Sequence, residues 1–311
     1  MRYAIVCPGQ GSQAVGMGKD LHDNFAHAKL AFEEASDVLQ TDMRALLFEP
    51  NEKLGQSQWT QPAILLVSVV AAQILEHESG CKPQFALGHS LGEISAVCLA
   101  GALSLRNALE LVSKRGELMQ NAQTAEPAGM MVVMGVADSV LENFVQEQQK
   151  QGKRVWVANY NTDGQVVLAG IRSDLQSLSA AKETLKAKRM LLLDISVASH
   201  CPLLEPIVEP FRELAKNALA QAFHFGVVSN VTTNKYDTIA QALELLGLQL
   251  VSPVRYKQCV QQYQDEVDVW IECGHGNVLR GLNSRLTAKP TLNVSDSATL
   301  KETLNRFKGE R

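Results

Sequence analysis

The chain is 311 residues long, 46% hydrophobic and 20% charged, with a formal net charge of −4. That length suffices for one large α/β domain or two smaller ones with a sizeable core. The slightly acidic balance excludes a nucleic-acid binder held by a broadly basic surface, so an acidic partner has to be met by a local basic patch.

The opening MRYAIVCPGQGS reads as a strand at 3–7, with too few apolar residues before Pro8-Gly9 for the core of a signal peptide. A helical pattern follows near 28–40. The longest apolar run, PAILLVSVVAAQIL at 62–75, is shorter than a membrane span and ends in Glu76-His77-Glu78, so 61–78 reads as a buried helix with His77 on its surface. Next come a strand at 84–88 and helices at 91–101 and 104–122. Between 127 and 195 the rhythm changes. GMMVVMGV (129–136) is a strand pattern, and Asp138 opens a helix whose apolar face is Val140, Leu141, Phe144 and Val145. RVWVANY (154–160) and QVVLAG (165–170) flank a hairpin signal at Asn161-Thr162-Asp163-Gly164. Ser173 caps a second helix with Leu175, Leu178, Ala181 and Leu185 inward, and RMLLLDIS (189–196) closes the unit. That order, β-α-β-β-α-β, is the ferredoxin-like pattern. Beyond it the alternation resumes, with helices at 203–221, 237–247 and 276–286 and strands at 223–229, 267–272 and 291–294. The expected fold is α/β: a parallel-sheet large domain (1–126 and 196–311) carrying an inserted ferredoxin-like small domain (127–195).

The chemistry centres on FALGHSLGEISAV, residues 85–97. G-x-S-x-G alone describes only a glycine-bordered turn that holds a serine. Between a strand and a helix it fits a nucleophile elbow, in which Gly88 and Gly92 leave room for a strained turn that lifts the Ser90 hydroxyl above the sheet. The helix N-terminus then favours negative charge developing there. Such a serine needs a base to take its proton. His200, in the loop SVASHCPLLEP, is placed for that task, and His275, in ECGHGNVLRGL, is the alternative. His89 adjoins the serine on a tight turn and reads as orienting the elbow. Asp194 or a backbone carbonyl would fix the imidazole tautomer.

A second feature is Arg115, which shares an i, i+4, i+7, i+11 stripe with Ala108, Val112 and Met119. On an apolar face an arginine either snorkels to water or waits, buried, for a carboxylate that it grips through two parallel hydrogen bonds. Near a nucleophilic serine the second reading selects an acyl chain that ends in a free acid. The six cysteines (Cys7, Cys81, Cys98, Cys201, Cys259, Cys273) have no C-x-x-C spacing, and the seven histidines have no ligand spacing, which fits reduced cytosolic thiols and no metal site.

PGQGSQ (8–13), GHSLGE (88–93), KRGELMQ (114–120), NTDGQVVLAG (161–170) and SVASH (196–200) occur together in this order. As a set, over essentially the whole chain, they resemble the malonyl-CoA:acyl carrier protein transacylases of bacterial fatty-acid synthesis. The resemblance implies a hydrolase-like α/β domain with a ferredoxin-like insertion, and a transfer of malonyl from malonyl-CoA to the phosphopantetheine thiol of acyl carrier protein. It implies Ser90 as nucleophile and His200 as its base, with the backbone carbonyl of Gln249 orienting the histidine, which leaves Asp194 without that role. Gln10 and Leu91 match the positions whose backbone N–H groups form the oxyanion hole, and Arg115 matches the arginine that pairs with the malonyl carboxylate. No metal or other cofactor, nucleic acid or membrane is implied, and a cytoplasmic monomer is expected. Ala198, Ser252, Arg255-Tyr256, His275 and Asn277 depart from the family pattern without touching a catalytic position. The same serine and histidine would serve a thioesterase, or a malonyl transferase of a polyketide or malonate decarboxylase system. Lys182, Lys186, Lys188 and Arg189, expected at the end of the second small-domain helix, offer a docking patch for an acidic carrier or an ordinary solvated face.

Overall fold

The computed structural model describes residues 1–122, 126–195 and 197–309, with residues 308 and 309 described by backbone only. In chain order, β1 (Tyr3–Cys7) is followed by α1 (Lys19–Asn24), α2 (Ala26–Leu39), α3 (Met43–Phe48), α4 (Ser57–Ser79), β2 (Phe85–Gly88), α5 (Leu91–Leu99) and α6 (Leu105–Asn121). Then come β3 (Ala128–Met134), α7 (Asp138–Lys150), β4 (Val155–Thr162), β5 (Gln165–Ile171), α8 (Arg172–Leu178) and β6 (Arg189–Leu192). The chain continues through α9 (Glu205–Ala218), β7 (Gly226–Val228), β8 (Lys235–Tyr236), α10 (Ile239–Gln249), α11 (Tyr256–Tyr263), β9 (Val269–Cys273), α12 (Val278–Asn283), β10 (Thr291–Val294) and α13 (Ser297–Gly309).

Six strands form one sheet in the order β10-β9-β1-β2-β7-β8, with parallel pairing up to β7 and an antiparallel β8 at the edge. Its strands β1, β2 and β7 are built of apolar residues and glycine because helices cover both faces. Along β1, Tyr3, Ile5 and Cys7 enter the core with α4, α5 and α6, while Ala4 and Val6 enter a second core with Trp270, Phe85 and Tyr256. Helix α4 is long and apolar enough to cross a membrane, yet 83% of its most apolar window is buried, so it serves here as the central core helix. The second sheet is antiparallel, β4-β5-β3-β6, with α7 and α8 on one face, as the ferredoxin-like pattern requires. Strand β4 also bridges to the first sheet's partner elements: Val254 N–H donates to Ala158 O at 2.8 Å and Tyr160 N–H to Val254 O at 2.9 Å. Lys257 adds ion pairs to Asp138 and Asp163, so the two sheets are tied along the cleft between them.

Several local expectations need correction. Ser173 does not cap α8: the N-cap is Ile171, and the helix ends at Leu178 in a single 3-10 turn. Leu185 still packs into the small core, but Lys182, Lys186, Lys188 and Arg189 lie in the exposed stretch leading into and opening β6 rather than at a helix end. Val140 is 49% exposed, whereas Leu141 and Val145 are buried, so the apolar face of α7 is narrower than the sequence suggested. The strand expected at 223–229 shrinks to Gly226–Val228, because His224 N–H donates to Ala100 O instead of to a neighbouring strand. Ser196, which closes the expected strand and opens SVASH, lies outside the described residues, as does the exact domain boundary there.

Candidate active site

The elbow is built by close backbone approach. A Cβ on Gly88 would lie 1.8 Å from the Gly92 carbonyl carbon, and one on Gly92 would lie 2.0 Å from Cys7 O. Only glycine permits β1, β2 and α5 to meet this tightly. Ser90 pays with φ 54° and ψ −107°, and His200 also sits at positive φ, 61°. Two non-glycine residues in sparsely populated backbone, at strain of about 1–3 kcal/mol each, mark a site whose surroundings hold it in place.

Ser90 and His200, 110 residues apart, meet with Oγ 2.7 Å from Nε2. The other ring nitrogen, Nδ1, is 2.8 Å from the Gln249 carbonyl oxygen. A carbonyl only accepts, so Nδ1 carries the proton and Nε2 is left to accept from Ser90. Asp194 lines the cleft but makes no hydrogen bond to His200, and His275 does not line it. Burial, reinforced by the positive charge of Arg115, lowers His200 to about 3, so its imidazole is neutral at physiological pH.

Arg115 does not snorkel: it is 1% exposed. Its Nη1 donates to Gln61 Oε1 at 2.9 Å, and its Nη2 to Gln249 Oε1 at 3.0 Å and to Ser90 Oγ at 3.3 Å. Its Nε has no partner among the described residues. Desolvation lowers Arg115 to about 10, which still leaves it charged at neutral pH. Gly116 keeps this turn of α6 against the start of α4, since a Cβ there would meet Ser57 O at 2.4 Å.

Leu91 is the first residue of α5 and Gln10 sits in the turn after β1. Their backbone N–H groups have no acceptor among the described residues, and both residues line the same cleft of about 370 Å³ as Ser90, Arg115 and His200. The small sheet supplies the opposite wall with Met130, Asn159, Asn161 and Val167. Asn161 Oδ1 meets His89 Nε2 at 2.8 Å, and His89 packs its ring 5.5 Å from that of Tyr256, so His89 spans the two sheets and points away from the serine hydroxyl. Among the described residues no group of three or more His, Cys, Asp or Glu side chains is placed to share a metal ion.

Sequence reading missed Gln61 and Asn230. Asn230 accepts from Ser90 N–H at 2.8 Å through Oδ1 and donates to Gly88 O at 2.7 Å, which fastens both ends of the elbow. Its position just after β7, at the carboxyl end of a parallel strand, is a signal that was available. Gln61 carries the same signal as Arg115, a polar side chain fully buried in an apolar helix.

Residues 4–302 match the family model described as acyl transferase domain. A malonyl CoA-acyl carrier protein transacylase of Bacillus subtilis is 35% identical over 312 residues, covering 99% of this chain and 98% of the relative. The crystal structure of a malonyl-CoA:acyl carrier protein transacylase from Helicobacter pylori superposes with a TM-score of 0.96 at 48% identity, covering 99% of each chain. A malonyl-transacylase solved in complex with its type II PKS acyl-carrier protein superposes at 0.94 with 35% identity, covering 98% of this chain and 100% of that one. The chain belongs to the acyl transferase domain family, and within it to the malonyl-CoA:acyl carrier protein transacylases.

Proposed function

We propose that this protein moves the malonyl group of malonyl-CoA to the phosphopantetheine thiol of acyl carrier protein, through an ester on Ser90, in fatty-acid synthesis. The observation that carries the reading is Arg115: a buried guanidinium with one N–H unpartnered among the described residues, 3.3 Å from the hydroxyl that a neutral histidine is placed to deprotonate. His200 Nε2 takes the Ser90 proton as Oγ bonds to the thioester carbonyl carbon, and the backbone N–H groups of Gln10 and Leu91 receive the oxyanion. When the carbon–sulfur bond breaks, His200 returns the proton to the departing coenzyme A thiol. The carrier thiol then attacks the malonyl-serine ester, with His200 taking the thiol proton and handing it to Oγ, which predicts ping-pong kinetics. Gln249 O keeps the imidazole in the tautomer both half-reactions need, and Arg115 holds the distal carboxylate throughout.

In the same reading, residues 127–195 form a domain of their own against 1–126 and 196–311, and the protein works as a cytoplasmic monomer without nucleic acid or membrane. The exposed Lys182, Lys186, Lys188 and Arg189 are the proposed contact for the acidic carrier. The test is intact mass spectrometry after mixing with malonyl-CoA. Wild type should gain one malonyl group and Ser90→Ala none; an undiminished adduct on Ser90→Ala overturns the reading. A thioesterase would instead release free malonate without carrier protein as fast as transfer proceeds with it.

A further inference from the structure

Ser90-Leu91-Gly92-Glu93 has the S-x-x-E pattern in which the glutamate at the third helical position turns back to the N-cap N–H. Here that bond is not made. Ser90 N–H goes to Asn230 Oδ1, and the Glu93 side chain, wholly buried, turns beneath the elbow. Its Oε2 accepts from Gln249 Nε2 at 2.6 Å and from Asn230 N–H at 3.0 Å, and its Oε1 accepts from the Tyr236 hydroxyl at 3.0 Å. All three neighbours are donors, the environment of an ionised carboxylate. Burial outweighs the pull of these donors and of Arg115 and leaves Glu93 raised to about 7.

Gln249 is the junction. Its main-chain oxygen receives His200 Nδ1–H, its Oε1 receives Arg115 Nη2–H, and its Nε2 donates both to Ser90 O, at 3.1 Å, and to Glu93. An amide can turn over, which would bring NH2 against the guanidinium. An acceptor-only group beside Nε2 forbids that. Glu93 therefore stands one amide away from Arg115 instead of pairing with it, and Arg115 keeps its planar fork available.

We infer that Glu93 is a positioning residue that fixes the Gln249 amide, and through it both the carboxylate grip of Arg115 and the orientation of His200. The inference rests on the proposed malonyl transfer. Two variants separate reach from charge. Glu93→Gln keeps the reach: its oxygen accepts from Gln249 and Asn230, and its NH2 faces the Tyr236 hydroxyl, which can turn to accept. Glu93→Asp keeps the charge and loses one methylene of reach. The readout is kcat/KM for malonyl-CoA and for acetyl-CoA with one holo carrier protein, with thermal melts confirming folding.

Glu93→Gln should keep the malonyl:acetyl preference within a few-fold of wild type. Glu93→Asp should lower it about tenfold, the worth of one hydrogen bond to a charged group. A fall in the ratio for Glu93→Gln, or none for Glu93→Asp, overturns the inference. A variant that fails to fold leaves the other one decisive. Absence of malonyl transfer by wild type refutes the proposed function instead and is seen before any variant is compared.

Discussion

Replacing Arg115 with alanine separates recognition of the acid from the rest of the chemistry. In the structure its Nη groups are held by Gln61 and Gln249, and Nε has no partner among the described residues. A malonyl carboxylate adds two charge-assisted hydrogen bonds, each worth about 1.5–3 kcal/mol net. Because the carboxylate shares Nη donors already in use, the lower end applies, about 3 kcal/mol, or roughly a hundredfold in kcat/KM at 1.36 kcal/mol per decade. Acetyl has no distal oxygens and loses the 3.3 Å contact between Nη2 and Ser90 Oγ and the Nη2 bond to Gln249 Oε1, while Gln249 stays held through Glu93 and Ser90 O, so its loss is a few-fold. Arg115→Ala should therefore cut malonyl transfer roughly a hundredfold and narrow the malonyl:acetyl ratio by nearly as much. The assay is transfer from each thioester to one holo carrier protein at matched concentrations, read by intact mass. Equal losses for both acyl groups would refute the reasoning, since they would make Arg115 a support for the elbow and nothing more.

Because His200 is lowered to about 3, labelling of Ser90 by a fluorophosphonate should persist well below pH 6.5; a half-loss at pH 6.5 contradicts the burial argument. The same shift makes the unfolded chain bind this proton first, so His200 takes stability from the fold as pH falls from 6.5 toward 3, while Glu93 and Glu272, raised to about 7, act in the opposite sense between 7 and 4.5. Replacing His200 with alanine should flatten the acid side of a melting-temperature profile, and an unchanged slope argues otherwise. Gly92→Ala places a methyl group 2.0 Å from Cys7 O and should cost about 1–3 kcal/mol or more, with loss of Ser90 labelling; a wild-type melt with full labelling denies the tight elbow. Charge reversal at Lys182, Lys186, Lys188 and Arg189 should raise KM for carrier protein while leaving malonyl-Ser90 formation unchanged, and an unaltered KM discards that docking surface.

Much of this site was legible because its signals are local. G-x-S-x-G between a strand and a helix announces the elbow, and Arg115 on a stripe with Ala108, Val112 and Met119 announces a buried charge. The same logic, a polar residue at an apolar helical position, also points to Gln61. What the chain order hides is convergence. Asn230 meets Ser90, and Glu93 meets Asn230, Tyr236 and Gln249, only once β7, α5, β8 and α10 are packed, and no spacing in the sequence encodes that. Helices α11 and α13 were missed although Tyr256, Cys259, Val260 and Tyr263, and Leu300, Thr303, Leu304 and Phe307, repeat at helical intervals. The short α1 and the two-residue β8 carry too few residues for any period to show. Ser173 misled because a good cap residue lies one position inside the helix, where tertiary packing of Ile171 sets the start.

The central claim is that Ser90 carries a malonyl ester which a thiol, rather than water, resolves. Malonyl-enzyme freed of excess malonyl-CoA, then chased with holo carrier protein and followed by intact mass, tests it directly. The malonyl mass should leave the enzyme and appear on the carrier stoichiometrically, while the adduct without carrier decays far more slowly. Malonate in solution in place of malonyl-carrier, or loss of the adduct at the same rate with and without carrier, would contradict the account.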